Sequence, residues 1–290
     1  MSFIEAVVLG VVQGLTEFLP ISSSGHLRIV PALLGWDDPG AAFTAVTQLG
    51  TVAAVVIYFW SDLWRIGTTW LRSLRDRSLR SSLDARMGWY LILATVPISV
   101  LGLAFKSQIE SGARDLRVVG TTLIVLGVIL LVAERTGRQE RTVEEVDTRS
   151  AVGIGSAQAL ALVPGVSRSG ATITAGLFMG FTREAAARFS FLLSIPAVVL
   201  SGLFTAKDVT EGGGPGVAET AVATVLAFVV GYAAIAWFLK FLTSHSTLVF
   251  VAYRVALGAL VLGLVAGGVV EARDTPPGRL VAEMGQDAGP

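Results

Sequence analysis

The chain has 290 residues, of which 53% are hydrophobic and 15% charged, and its mean hydropathy is +0.69. Soluble domains run at roughly 45–50% apolar and about 25% charged, so disorder, a coiled coil, a collagen-like repeat and an ordinary cytosolic enzyme all fit badly. The 22 basic and 22 acidic residues cancel, which leaves no electrostatic footprint for nucleic acid, and the lack of Cys excludes a disulfide framework, a thiolate zinc site and a Cys nucleophile.

What remains is an all-α polytopic membrane protein, with residues 1–270 as one membrane domain and 271–290 as a polar tail. The first apolar stretch, 3–19, has Glu5 where a signal peptide would be basic and has no small-residue cleavage site, so it reads as part of the mature domain. It ends at Pro20-Ile21-Ser22-Ser23-Ser24-Gly25, and a short apolar piece follows over 27–35. Three stretches of spanning length come next, 43–60, 87–106 and 116–133. A second broken stretch, 152–163, ends at Pro164-Gly165-Val166-Ser167-Arg168-Ser169-Gly170 and resumes over 171–181. Three more spans follow, 189–205, 218–242 and 248–270. Each broken stretch reads either as a spanning helix with a surface loop or as a re-entrant pair; we adopt the re-entrant reading, in which the broken backbone faces protein or a watery cavity.

Loop charge orients the chain. Loop 61–86 carries Arg65, Arg72, Arg75, Arg77, Arg80 and Arg86, and loop 134–150 carries Arg135, Arg138, Arg141 and Arg149. Loop 107–115 has only Arg114, loop 206–217 only Lys207, and the tail Arg273 and Arg279. The two basic loops therefore face the cytoplasm, and loop 206–217 and the C-terminus lie outside. The first re-entrant pair then enters from outside and the second from the cytoplasm. Tyr58, Trp60, Trp64 and Trp70 fit an inner aromatic belt, and Lys240 and Arg254 are expected to snorkel from span ends.

The breaks repeat one another. At an offset of 145, Gly10, Gln13, Leu15, Ser22, Ser24 and Gly25 meet Gly155, Gln158, Leu160, Ser167, Ser169 and Gly170, and Phe43 and Phe189 open similar spans. Two halves, about 1–145 and 146–270, would each hold one re-entrant pair and three spans. An odd number of crossings inverts the second half, as in transporters whose sites lie where broken helices meet.

Polar residues at membrane depth are costly, and here they cluster at the breaks. Gln13 and Glu17 lie four apart on one helix face. Ser22, Ser23, Ser24, Gly25, Ser167, Ser169 and Gly170 at helix starts would offer backbone N–H groups to a phosphate, and Arg168 could grip two of its oxygens as a fork. Glu17, with Gln13 and water, could hold a hard divalent cation. His26 could act as acid or base, with a neighbouring Ser as nucleophile. Arg183, Glu184 and Arg188 read as an ion-paired helix start, and His245 as a turn residue.

The run from Gln13 to His26 resembles the first motif of the bacitracin-resistance type undecaprenyl-diphosphatases. The run from Pro164 to Thr172 resembles their second, and Phe189 to Pro196 is also similar. The resemblance implies a plasma-membrane enzyme that hydrolyses undecaprenyl diphosphate to the monophosphate, recycles the cell-wall lipid carrier, confers bacitracin resistance, uses Mg²⁺ or Ca²⁺ and works from the outer face. It makes Glu17 a metal ligand or activator and Ser23 the nucleophile, with Ser22 as neighbouring candidate and His26 as the family histidine. Ser167, Arg168 and Thr172 become the pyrophosphate site. Gln13 departs from the pattern, since many members have Glu there, and Ser24 stands where Thr is common. The partners implied are the lipid substrate and the bilayer, with a homodimer as the assembly to test. A competing reading is a lipid or anion transporter built on the same repeat. Another is a type-2 phosphatidic acid phosphatase, whose Ser-Gly-His element Ser24-Gly25-His26 resembles, although no histidine follows Ser167-Arg168 at the expected distance.

Overall fold

A computed structural model of the chain describes residues 1–105, 115–205 and 216–273, the side chains of 41 and 200–205 excepted. The loop residues Arg114 and Lys207 and most of the C-terminal tail, including Arg279, lie outside the described residues. The first break separates α1 (Phe3–Phe18) from α2 (Ser23–Leu34). Next come α3 (Gly40–Tyr58), α4 (Trp60–Ser73), α5 (Leu83–Ala104) and α6 (Leu116–Thr136). The second half runs through α7 (Thr148–Gln158), a 3-10 turn over Ala159–Leu162, α8 (Arg168–Phe178), α9 (Arg183–Thr205), α10 (Val217–Leu242) and α11 (Leu248–Ala266). The protein is all-α and largely membrane-spanning: α5, α6, α10 and α11 are long and apolar enough to cross a bilayer, and α3 with α4 adds a fifth span if the bent pair is one.

Loop 61–86 differs from expectation. Most of its first half is helix α4, which leaves α3 at an angle of 76°. Its Trp60, Trp64 and Leu71 are exposed, while Ile66 is buried. Trp70 does not join the belt as a free ring: it packs edge-on to Trp89 of α5, centroids 5.5 Å apart, in space left by Gly88. Asp62 of α4 receives Arg188 of α9 at 2.5 Å, and Arg65 bridges Asp62 and Asp84. Arg183 pairs with buried Glu134, which also accepts from Thr247, so the expected ion-paired start of α9 is present.

Both breaks have the same local build. Ser22 and Ser167 hold φ of 75° and 70°, a region that L residues rarely occupy. Each caps the following helix, accepting at Oγ from the N–H of Gly25 and of Gly170. Two of the amides expected to face an anion are therefore already satisfied, because a serine hydroxyl beside them is the nearer acceptor. Packing also repeats. Helix α1 lies along α10 and α7 along α5; α3 and α9 pack on each other and on α10 and α5 respectively, and α6 pairs with α11. Close approach is paid for by glycine: a Cβ on Gly10 would stand 2.6 Å from the Ala223 carbonyl of α10, and one on Gly155 2.3 Å from the Ala94 carbonyl of α5. Gly120 and Gly258 meet where α6 crosses α11. Aromatic rings fill the centre: Phe191 of α9 touches Phe18 edge-on at 5.3 Å and Phe238 at 6.0 Å, which seats the end of α1 against α9.

Gly155→Val should cost roughly 1–3 kcal/mol as overpacking and lower the thermal midpoint in detergent. Gly263→Ala, whose Cβ meets open space in the last turn of α11, should leave it unchanged or raise it. Equal midpoints for the two variants would argue against this helix contact. At the second break, Ser167→Ala should cost about 1 kcal/mol by losing the cap while keeping the unfavourable φ. Ser167→Gly should cost less, since it relaxes the backbone; the reverse order in melting experiments would contradict the capping geometry.

Candidate active site

The Glu17 carboxylate, at the end of α1, joins the two halves. Its Oε2 accepts from Ser23 Oγ at 2.6 Å and Gln13 Nε2 at 3.2 Å, and its Oε1 accepts from Arg168 Nη2 at 2.7 Å and Gln48 Nε2 at 3.2 Å. The Glu17 and Arg168 side chains are 5% and 12% exposed. A charge this deep is tolerable only when paired and hydrogen-bonded, and four donors on one carboxylate meet that requirement. Spacing along α1 puts Gln13 one turn before Glu17, and the turn at Leu19–Ser22 brings Ser23, at the start of α2, back over the same carboxylate. Arg168 arrives from the other half because Ser167 turns the chain into α8 at that point. Ser169 Oγ then donates to the Leu19 carbonyl at 2.8 Å, a second tie between the breaks.

These groups open onto a cavity of about 210 Å³ lined by Glu17, Ser22, Ser23, Ser24, Gln48, Ser167 and Arg168, with Ile98, Leu162, Ala197 and Val198 among its apolar walls. Hydroxyls, one carboxylate and one guanidinium on an otherwise apolar wall suit a small, strongly anionic group attached to something greasy. A larger cavity of about 500 Å³ lies between α4, α5 and α9, but its Asp62, Arg65, Asp84 and Arg188 are already paired with one another.

Several expected residues sit elsewhere. His26 is buried beside the cavity rather than on its wall; Nδ1 meets the Ser22 carbonyl at 2.7 Å and Nε2 the Tyr253 hydroxyl at 2.7 Å. Thr172 is fully buried and shares a 2.6 Å hydrogen bond with Ser190 of α9, so it fastens α8 to α9. Gly25 and Gly170 contribute capped amides at the two helix starts. Gln13 is buried with its Oε1 lacking a hydrogen-bond partner among the described residues, and both polar atoms of its repeat mate Gln158 are in the same state. Among the described residues no group of three or more His, Cys, Asp or Glu side chains is arranged to hold a metal ion.

Two residues were underrated in the sequence. Gln48 is an amide inside an apolar span, a signal that the cost of burial should have raised. Arg254 does not snorkel: it is fully buried, because main-chain carbonyls from both breaks and from α6 surround its guanidinium. Lys240 is exposed, and His245 sits in a turn, stacked on Phe241 at 4.4 Å.

Residues 6–260 match the family model described as bacitracin resistance protein BacA. An undecaprenyl-diphosphatase of Nocardioides sp. is 56% identical over 273 residues, covering 94% of this chain and all of the relative. An undecaprenyl-diphosphatase of Paenarthrobacter aurescens is 57% identical over 277 residues, covering 94% and 100%. One from Thermobifida fusca is 56% identical over 270 residues, covering 93% and 92%. A match of this extent, whose range includes both broken segments and the spans between them, places the chain in the bacitracin resistance protein BacA family.

Proposed function

We propose that this chain is an undecaprenyl-diphosphate phosphatase of the bacterial plasma membrane, releasing phosphate and leaving undecaprenyl phosphate for another round of cell-wall synthesis. The observation that carries the reading is the Glu17 carboxylate, which holds a serine hydroxyl from one break and a guanidinium from the other at the mouth of one cavity. Relatives of matching length bear the name of this activity.

In this reading the diphosphate enters the cavity and its isoprenoid tail stays in lipid. Arg168 turns its remaining N–H groups to the terminal phosphate and neutralises charge as it builds up. Ser23 Oγ attacks the terminal phosphorus and its proton passes to Glu17 Oε2. The bond from that phosphorus to the bridging oxygen breaks, and the lipid monophosphate leaves with the electron pair. Water then cleaves the phosphoserine and releases phosphate. Ser22, Ser24, Ser167 and Ser169 line or brace the phosphate path. His26 supports the Ser22 carbonyl; in the alternative route it would activate the attacking water. A divalent cation, Mg²⁺ or Ca²⁺, belongs to the proposal. Glu17 and Gln13 Oε1, which has no hydrogen-bond partner among the described residues, are oxygen donors that suit a hard ion, the rest of whose shell would come from phosphate oxygens and water. When bound, it would supply further neutralisation of phosphate charge.

We further propose six spans and two re-entrant pairs, α1–α2 and α7–α8, in two inverted halves. The matched φ values of Ser22 and Ser167, the matched glycine contacts at Gly10 and Gly155, and the paired packing of α1 on α10 and α7 on α5 support it. With the basic loops inside, Gln48 near the middle of α3, Ile98 in the last third of α5 and Ala197 late in α9 would stand at or outside the midplane, which favours access from outside. A transporter remains the second reading because of the repeat. Phosphate release in detergent, where transport has no meaning, separates the two.

Purified protein should release phosphate from undecaprenyl diphosphate and lose that activity in EDTA. Arg168→Ala, kept only if it remains monodisperse, should lose roughly 100- to 1,000-fold in kcat, the scale of a lost oxyanion donor. Near wild-type phosphate release by Arg168→Ala would sink the assignment. Ser23→Ala should be as severe, and retention of most activity by it would rule out the covalent route and favour water.

A further inference from the structure

We propose that Arg254 is the positioning residue that sets the two breaks against each other, and thereby the spacing of Glu17, Ser23 and Arg168. The proposal rests on the phosphatase reading above. Arg254 lies on α11, is fully buried and does not line the cavity. Its Nη1 donates to the Pro20 carbonyl in the first break at 3.0 Å. Its Nη2 donates to Val166 at 3.0 Å and Gly165 at 3.3 Å in the second. Nη2 also reaches Thr122 at 3.4 Å, and Nε reaches Leu123 at 3.2 Å, both on α6. Pro20 sits midway between Glu17 and Ser23 in sequence, and Val166 two residues before Arg168. One flat, rigid group thus holds the carbonyls on both approaches to the site.

The residue type is demanding. A buried cation costs several kcal/mol even after relaxation, so a side chain serving packing alone would be apolar. Carbonyls stranded by two helix breaks need donors fanned in a plane, which guanidinium provides and ammonium does not. The surroundings are shaped to it: a Cβ on Gly170 would stand 2.6 Å from Arg254 Nη1. The neighbouring Tyr253 extends the tie through His26 to the Ser22 carbonyl. Thr122 adds a bond to Pro164 at 2.7 Å, so α6 braces the second break from the other side.

The test uses the purified full chain in detergent with undecaprenyl diphosphate as substrate. Arg254→Lys should stay monodisperse yet lose roughly 100-fold in kcat, the scale of a misplaced reacting group, with KM within about twofold. Gly170→Ala displaces the guanidinium and keeps every charge, so it should fall in the same direction and remains informative if Arg254→Lys does not fold. The double variant should be no worse than the poorer single, because both act on one group. Folded Arg254→Lys with wild-type kcat overturns the proposal, as does full multiplicative loss in the double variant; a rise in KM alone would mark a substrate contact instead. A second readout needs no activity. The cysteine-free chain accepts spin labels at Leu34→Cys and Phe178→Cys, exposed ends of α2 and α8. Their distance distribution should shift or broaden in Arg254→Lys, and an unchanged distribution overturns the proposal. Wild-type protein that releases no phosphate would sink the phosphatase reading while the label result still decides the positioning role.

Discussion

A helix that breaks inside a bilayer strands carbonyl and amide groups where no water can reach them, and these groups must find partners in the protein. In the re-entrant arrangement proposed above, the site depends on how the two breaks meet that demand. Each solves its amide side with a serine at positive φ whose hydroxyl caps the next helix. The carbonyl side is solved between elements: Leu19 takes a hydroxyl from Ser169, Pro164 one from Thr122, and Pro20 and Val166 share one guanidinium. Satisfying the backbone and assembling the polar site are the same event, because the donors that rescue one break are carried by the other break or by α6 and α11.

The carboxylate of Glu17 obeys a related rule for charge. Buried alone it would cost several kcal/mol; Arg168, Ser23, Gln13 and Gln48 around it offset that cost. In the proposed mechanism the same arrangement sets it beside the hydroxyl that it deprotonates and beside the cation that the incoming phosphate shares. In that mechanism, reactivity is a property of the same pairing that makes burial of the charge possible.

Much of this was legible beforehand, and unevenly. The breaks were visible because proline, serine and glycine interrupt apolar runs, and the offset of 145 tied them together. Glu17 and Arg168 stood out as charges that the membrane penalises. Arg254 was as costly, yet its place near a span end suggested a route to water; its partners are main-chain carbonyls, which have no side-chain signature. At Gly25 and Gly170 the sequence did not show that a serine hydroxyl three residues back bonds the same amide. Helix α4 was hidden because its arginines read as topogenic loop charge, and the structure shows it as a helix bent 76° away from α3.

The ion pair between Glu17 and Arg168 spans 151 residues of chain. During synthesis the acid is made long before its base exists, so for about half of translation the nascent protein holds a carboxylate without its partner. The first half is therefore a poor final product by itself, and the last helix, α11, brings the donors that close both breaks. Such a chain has a built-in order of completion, in which a truncated or mis-threaded copy is marked by the acid it leaves without a partner.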